Sequence, residues 1–115
     1  MSSRAPITTH ILDTHKGRPA ADVAVSLYRQ NGDQWSLLGE ATTNADGRIT
    51  QWNSEFEFQE GLYQLIFLTQ DYFERENSAS FYPQVSITFQ VNATDEHYHV
   101  PLLLSAHGYS TYRGS

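Results

Sequence analysis

The chain has 115 residues, a formal net charge of −6 at pH 7, and 39% hydrophobic and 13% aromatic residues. That length supports one domain with one modest core, and the negative balance argues against nucleic acid or an anionic membrane as a partner. No cysteine is present, which excludes disulfides, thiolate chemistry and cysteine-type zinc sites.

The opening MSSRAP has no apolar h-region, so it is not a secretory signal, and residues 1–6 are expected to be flexible. The longest apolar runs, at 65–68 and 100–104, are far too short to span a bilayer. A cytoplasmic protein is the resulting expectation.

Ile7–Asp13 reads as the first strand, with Ile7, Thr9 and Ile11 on one face and Thr8, His10 and Leu12 on the other. Residues 15–19 form a loop punctuated by Gly17 and Pro19. Residues 23–28 alternate again, with Val23, Val25 and Leu27 inward. Asn31-Gly32-Asp33 is a hairpin turn signal leading into a third strand at 35–43. Asn44-Ala45-Asp46-Gly47 is a second turn, and Arg48 follows it in a short strand to Gln51. Residues 53–60 read as an irregular connection. Residues 61–70 are apolar on both faces, which predicts burial within a sandwich or at a subunit contact. Residues 71–78 are the one credible helix, with Asp71 as its cap. Residues 83–91 alternate with Val85, Ile87, Phe89 and Val91 inward, and 92–95 turn the chain.

The next strand puts His97, His99, Pro101 and Leu103 on one face and Tyr98, Val100, Leu102 and Leu104 on the other. Pro101 removes a ladder donor, so its amide side should meet an edge, a bulge or a subunit boundary. The chain breaks at Ala106-His107-Gly108, and a short strand at 109–112 completes it. About eight short strands, regular turns and one helix predict a single all-β sandwich domain over 1–115.

His97 and His99 stand roughly 7 Å apart on one strand face. Such a face can simply be solvated. With His10 it also offers the donors of a three-histidine zinc site, although no acidic partner for those rings is evident. Arg48 and Arg113 read by themselves as solvated cations. Tyr112 suits either an edge strand or a stacking wall for a planar ligand. No Gly-x-Ser-x-Gly elbow surrounds Ser115. His15 and His107 fall in loops and carry no assignment.

The residues HYHVPLLLS followed by YSTYRGS resemble the C-terminal part of the 5-hydroxyisourate hydrolases, the transthyretin-like enzymes of urate breakdown. The tetrapeptide Tyr112-Arg113-Gly114-Ser115 is the family's signature. ITTHILD with Gly17-Arg18-Pro19-Ala20 is similar to its N-terminal motif, and Asp46-Gly47-Arg48 to its central arginine motif. Four motifs in order cover essentially the whole chain.

The resemblance implies a transthyretin-like sandwich of two four-stranded sheets with one short helix. It implies hydrolysis of a cyclic amide of 5-hydroxyisourate to 2-oxo-4-hydroxy-4-carboxy-5-ureidoimidazoline, without cofactor or metal. It also implies a homotetramer, a dimer of dimers, with sites in a channel between subunits. His10, Arg48, His99 and Ser115 become the expected catalytic residues; His10, Arg48, Tyr112, Arg113 and Gly114 the expected substrate contacts. His10 and His99 would activate water and shuttle its proton, since a neutral imidazole is a base near pH 7. Arg48 would orient the ring and stabilise oxyanion charge. Tyr112 would line the pocket, and Ser115, by hydroxyl or terminal carboxylate, would orient a histidine or the water. His97 would be an accessory or channel residue. The alternative is a non-catalytic carrier of a small aromatic ligand, like transthyretin.

Overall fold

The computed structural model describes residues 4–115. Its elements run β1 (Ile7–Asp13), β2 (Arg18–Pro19), β3 (Ala24–Asn31), β4 (Gln34–Thr42), β5 (Arg48–Ile49), β6 (Gly61–Phe67), α1 (Thr69–Arg75), β7 (Val85–Val91), β8 (Tyr98–Ser105) and β9 (Gly108–Thr111). Two sheets pack face to face. One is four-stranded, in the order β4-β3-β6-β7; the other is ordered β2-β1-β8-β9, with β5 also paired to β1. This second sheet therefore has five strands where four were expected. The two-residue strands β2 and β5 share one side of β1, at Leu12–Asp13 and at Thr9–His10 respectively.

Period-two alternation sets the core. Ile7, Ile11, Leu102 and Leu104 from one sheet meet Val25, Leu27, Leu65, Phe67 and Val85 from the other, all essentially excluded from water. Truncating one such side chain to Ala costs about 2–5 kcal/mol. The 53–60 connection is irregular as expected, and Phe56 and Phe58 pack against the core from it. Just before it, Trp52 Nε1 donates to the Ile7 carbonyl at 2.8 Å.

The apolar run at 61–70 divides. β6 stops at Phe67, and its outward Leu62 and Ile66 are only partly buried. The helix starts at Thr69, two residues earlier than expected, and Leu68 occupies the cap position without a side-chain hydrogen bond. Asp71 is thus not the cap. It lies in the first turn, where its charge still complements the helix N-terminus. Thr69 is buried, and that anchoring places the helix start.

β1 and β8 pair in parallel along their whole length, from Ile7↔Tyr98 to Asp13↔Leu104. Pro101 therefore sits in an interior strand. Its donor-less side faces β9: the Pro101 carbonyl accepts from Thr111 Oγ1 at 2.7 Å. β9 ends at Thr111, and backbone pairing resumes at His99↔Gly114. The proline interrupts the ladder there. Of the segment expected to be flexible, residues 1–3 lie outside the described residues. Ala5 donates to the Thr50 carbonyl at 2.7 Å, and Pro6 accepts from the Tyr98 amide at 2.9 Å, so these two residues are tied down.

At the other end of β1, Asp13 is buried yet accepts hydrogen bonds from Tyr72 Oη at 2.6 Å and from the His15 and Lys16 amides at 3.0 Å. Burial favours the protonated acid, but these three donors together hold the carboxyl below its usual range. Tyr72 is pushed upward by burial and by that carboxylate. This pair ties α1 to β1.

Candidate active site

Several of the residues expected at the site lie on the outward face of the five-stranded sheet. The tight Asn44–Gly47 turn delivers Arg48 to β5: Asn44 Oδ1 accepts from the Asp46 and Arg48 amides, and Gly47 adopts φ +74°. β5 then pairs with β1 so that His10 faces Arg48 directly across the strands. On the other side of β1, Thr8 is the register partner of His99. Thr8 and His10 are two apart and share a face. His10, Arg48 and His99 are thereby gathered on one surface, from three strands.

A depression of about 110 Å³ lies among Arg4, Thr8, Thr9, Arg48, Thr50, His97, His99 and Ser115. Ser115 reaches it because the Gly114 amide donates to the His99 carbonyl at 2.8 Å and lays the tail across β8. Gly114 packs so tightly that a Cβ there would lie 2.7 Å from His99 Cδ2. A larger hollow, about 440 Å³, lies elsewhere, between Asp13, Phe73 and Ala106, with the loop histidines His15 and His107 at its wall. Its Lys16 is already ion-paired to Glu76.

All three imidazoles of the face are held below their ordinary pKa. For His99 the main cause is burial, followed by the positive charges of Arg48 and the neighbouring histidines and Arg4. For His10 burial again leads, then Arg48, opposed by the backbone and charge of Asp46. For His97 burial is joined by Arg4 and Arg113. Neutral rings beside fixed guanidinium charge can accept a proton from water near pH 7 while the cations stabilise an oxyanion. Among the described residues no group of three or more His, Cys, Asp or Glu side chains could hold a metal ion.

Not every expected residue lines the depression: His10 stands beside Arg48 and Gly114 against His99 without forming its wall, and Arg113 and Tyr112 lie further off. Arg113 donates to Glu96 Oε1 at 2.9 Å and to the His97 carbonyl at 3.3 Å, and its guanidinium stacks 4.3 Å over the Tyr98 ring. It lines a separate hollow with Phe89, Asn92 and Glu96, so it fastens the tail instead of facing the depression. An acidic side chain and an aromatic face within reach outcompete the site for this cation. Tyr112 is exposed and is not part of the wall of the depression.

Sequence reasoning missed Thr8. It is buried, and its hydroxyl lies 2.7 Å from His99 Nδ1 and 3.1 Å from His97 Nε2. Its alternation with His10 was the available signal. Arg4 and Thr50 also escaped notice.

Comparison with known proteins gives the family and the fold. The chain is 44% identical over 120 aligned positions, all of both chains, to 5-hydroxyisourate hydrolase 2 of Rhizobium meliloti. It superposes on the 5-hydroxyisourate hydrolase of Klebsiella pneumoniae with a TM-score of 0.82 and 38% identity, covering 95% of this chain and 98% of the other. It superposes on sea bream transthyretin in complex with thyroxine with a TM-score of 0.89 and 30% identity, covering 96% and 95%. Residues 7–114 match the HIUase/Transthyretin family profile, and the chain belongs to that family.

Proposed function

We propose that this chain hydrolyses 5-hydroxyisourate, opening the cyclic amide of its six-membered ring to give 2-oxo-4-hydroxy-4-carboxy-5-ureidoimidazoline. The observation that carries the reading is the meeting of Arg48, His10 and His99 on one sheet face, from strands far apart in the sequence. Arg48 offers a planar fork of donors to a substrate edged with carbonyls and amides, and takes up the oxyanion charge. His99 and His10 accept the proton of the attacking water and return it to the leaving nitrogen. Ser115 holds the water or a ring in place, and Gly114 allows the tail to lie against His99. The transthyretin likeness fits a carrier equally well in fold, but gripping an aromatic ligand does not call for three neutral imidazoles beside a guanidinium.

The site works, in this reading, in a homotetramer built as a dimer of dimers. A depression of about 110 Å³ is smaller than the roughly 300 Å³ at which small-molecule pockets begin. A neighbouring copy would supply the missing walls. Tyr112, 57% exposed, and Tyr109, 42% exposed, are suited to that contact.

The test couples urate oxidase, which generates 5-hydroxyisourate in place, to this protein. The ultraviolet absorbance of the intermediate should decay faster in its presence, and His10→Ala, Arg48→Ala and His99→Ala should each remove the acceleration while remaining folded. No acceleration at micromolar native protein would refute the activity. Full acceleration by one variant would remove that residue from the mechanism.

A further inference from the structure

The Thr8 hydroxyl has one proton to give and lies between two ring nitrogens, His99 Nδ1 at 2.7 Å and His97 Nε2 at 3.1 Å. Among the described residues these are its hydrogen-bond partners, and Thr8 is only 3% exposed, so water does not readily replace either. The protons can then be arranged in two ways. In the first, the hydroxyl donates to His99 Nδ1 and His97 Nε2–H donates to the hydroxyl. His99 then carries its proton on Nε2 and has no free lone pair. In the second, His99 Nδ1–H donates to Thr8 Oγ1, and the hydroxyl donates to His97 Nε2. That leaves a lone pair on His99 Nε2, and only this arrangement makes His99 a base.

We propose that Thr8 is a positioning residue that links His97 and His99 into one proton relay, fixing the basic tautomer of His99 and passing its positive charge to His97 during turnover. The inference rests on the reading of His99 as a base. The relay balances. His99 Nε2 takes a proton from water; the Nδ1 proton moves to Thr8 Oγ1, and the Thr8 proton moves to His97 Nε2. His97, already protonated on Nδ1, becomes the imidazolium. When the leaving nitrogen takes the Nε2 proton, both hops reverse and the starting state returns.

The surroundings favour such a transfer. The rings are held nearly parallel, at 20° with centroids 6.4 Å apart. The charged and titratable groups that act on them include Arg4 ahead of β1, His10 on β1, Arg48 on β5 and, from outside the depression, Arg113 beyond β9; Ser115 lines the same depression. His99 meets three of these, Arg48, His10 and Arg4; His97 meets Arg4 and Arg113, and Arg113 is partly neutralised by Glu96. The extra proton is less crowded by cations on His97.

The experiment compares Thr8→Val, Thr8→Ser and His97→Gln with native protein and His99→Ala. Thr8→Val keeps the shape and removes the hydroxyl. It should lower kcat by about ten- to a hundredfold with KM little changed, the scale of loss when a reacting group is misplaced by about 1 Å. Thr8→Ser should recover most of that loss. His97→Gln retains a hydrogen-bond partner but cannot hold a proton; it should also lower kcat and shift the acidic limb of the kcat profile. Nitrogen-15 spectra of labelled histidine should show His99 protonated on Nδ1 in native protein and a mixture in Thr8→Val. Native kcat and pH profile in Thr8→Val or His97→Gln would overturn the relay. So would Thr8→Ser failing as badly as Thr8→Val, or a His99 proton on Nε2. Activity in His99→Ala would instead overturn the underlying role of that histidine.

Discussion

Gly114→Ala tests whether the tail is part of the site. A Cβ at this position would stand 2.7 Å from His99 Cδ2, 3.4 Å from His99 Cγ and 3.2 Å from Pro101 Cγ. Real Cβ atoms essentially never approach closer than 3.0 Å, so something must shift by at least about 0.3 Å, and by more to reach ordinary van der Waals contact. Pro101 is buried in an interior strand and does not yield easily. Either the tail lifts or the imidazole turns. Lifting weakens the 2.8 Å bond from the Gly114 amide to the His99 carbonyl, worth about 1 kcal/mol, and carries Ser115 out of the depression. Turning breaks the 2.7 Å contact of His99 with Thr8. A displacement of ~1 Å at a reacting group can cost about a hundredfold in rate. The expected outcome is a kcat about ten- to a hundredfold lower, or ~1.4–2.7 kcal/mol of barrier, with stability reduced by only about 1 kcal/mol. Decay of 5-hydroxyisourate and thermal unfolding, measured on one preparation, separate the two effects. A native rate in Gly114→Ala would refute the reasoning. A loss of rate that merely follows a loss of folded protein would refute it too.

Acidification should weaken the fold in a defined window. The folded pKa values of His10, His97 and His99 all lie below their ordinary value, so the unfolded chain takes protons first as pH falls through about 6.5, and stability declines from there toward the folded values. Urea unfolding at pH 7.5, 6.5 and 5.5 should give falling free energies, and a rise or a flat line would contradict the assignment. Gly47→Ala should cost about 2 kcal/mol or more, since φ is +74° and the Cβ would meet the Ile11 carbonyl oxygen at 2.6 Å. Its melting temperature, at matched protein concentration, should fall by roughly 6–10 °C, and an unchanged melting curve would show that the turn is not fixed as described.

Most strands were legible because half-buried β-structure writes itself as alternation. Val23, Val25 and Leu27, and again Tyr98, Val100, Leu102 and Leu104, all proved buried. The Arg18–Pro19 strand was not legible, since two residues cannot display a period and Gly17 and Pro19 signal a loop. The helix start slipped because a polar Asp71 looks like a cap, whereas buried Thr69 decides the matter through packing. Within the site, His10, Arg48 and His99 carried motif information. Their proximity is a matter of register between β1, β5 and β8, which no local pattern encodes. Arg113 turned away because Glu96 and Tyr98 captured it, and a linear reading has no way to rank such competitors. Thr8 was invisible for the opposite reason. A threonine in a strand is ordinary, and only the pairing Thr8↔His99 gives its hydroxyl something to join.

The parallel match of β1 with β8 has a kinetic consequence. Thr8 and His99 are 91 residues apart, so nearly the whole polypeptide must be looped before they touch. Closing so large a loop is entropically slow, and sandwiches rich in distant pairings fold in milliseconds to seconds. An unfinished nascent chain that has not yet reached β8 can arrange the β3–β4 hairpin but holds no imidazole against Thr8. Competence for chemistry would therefore switch on in a single late event.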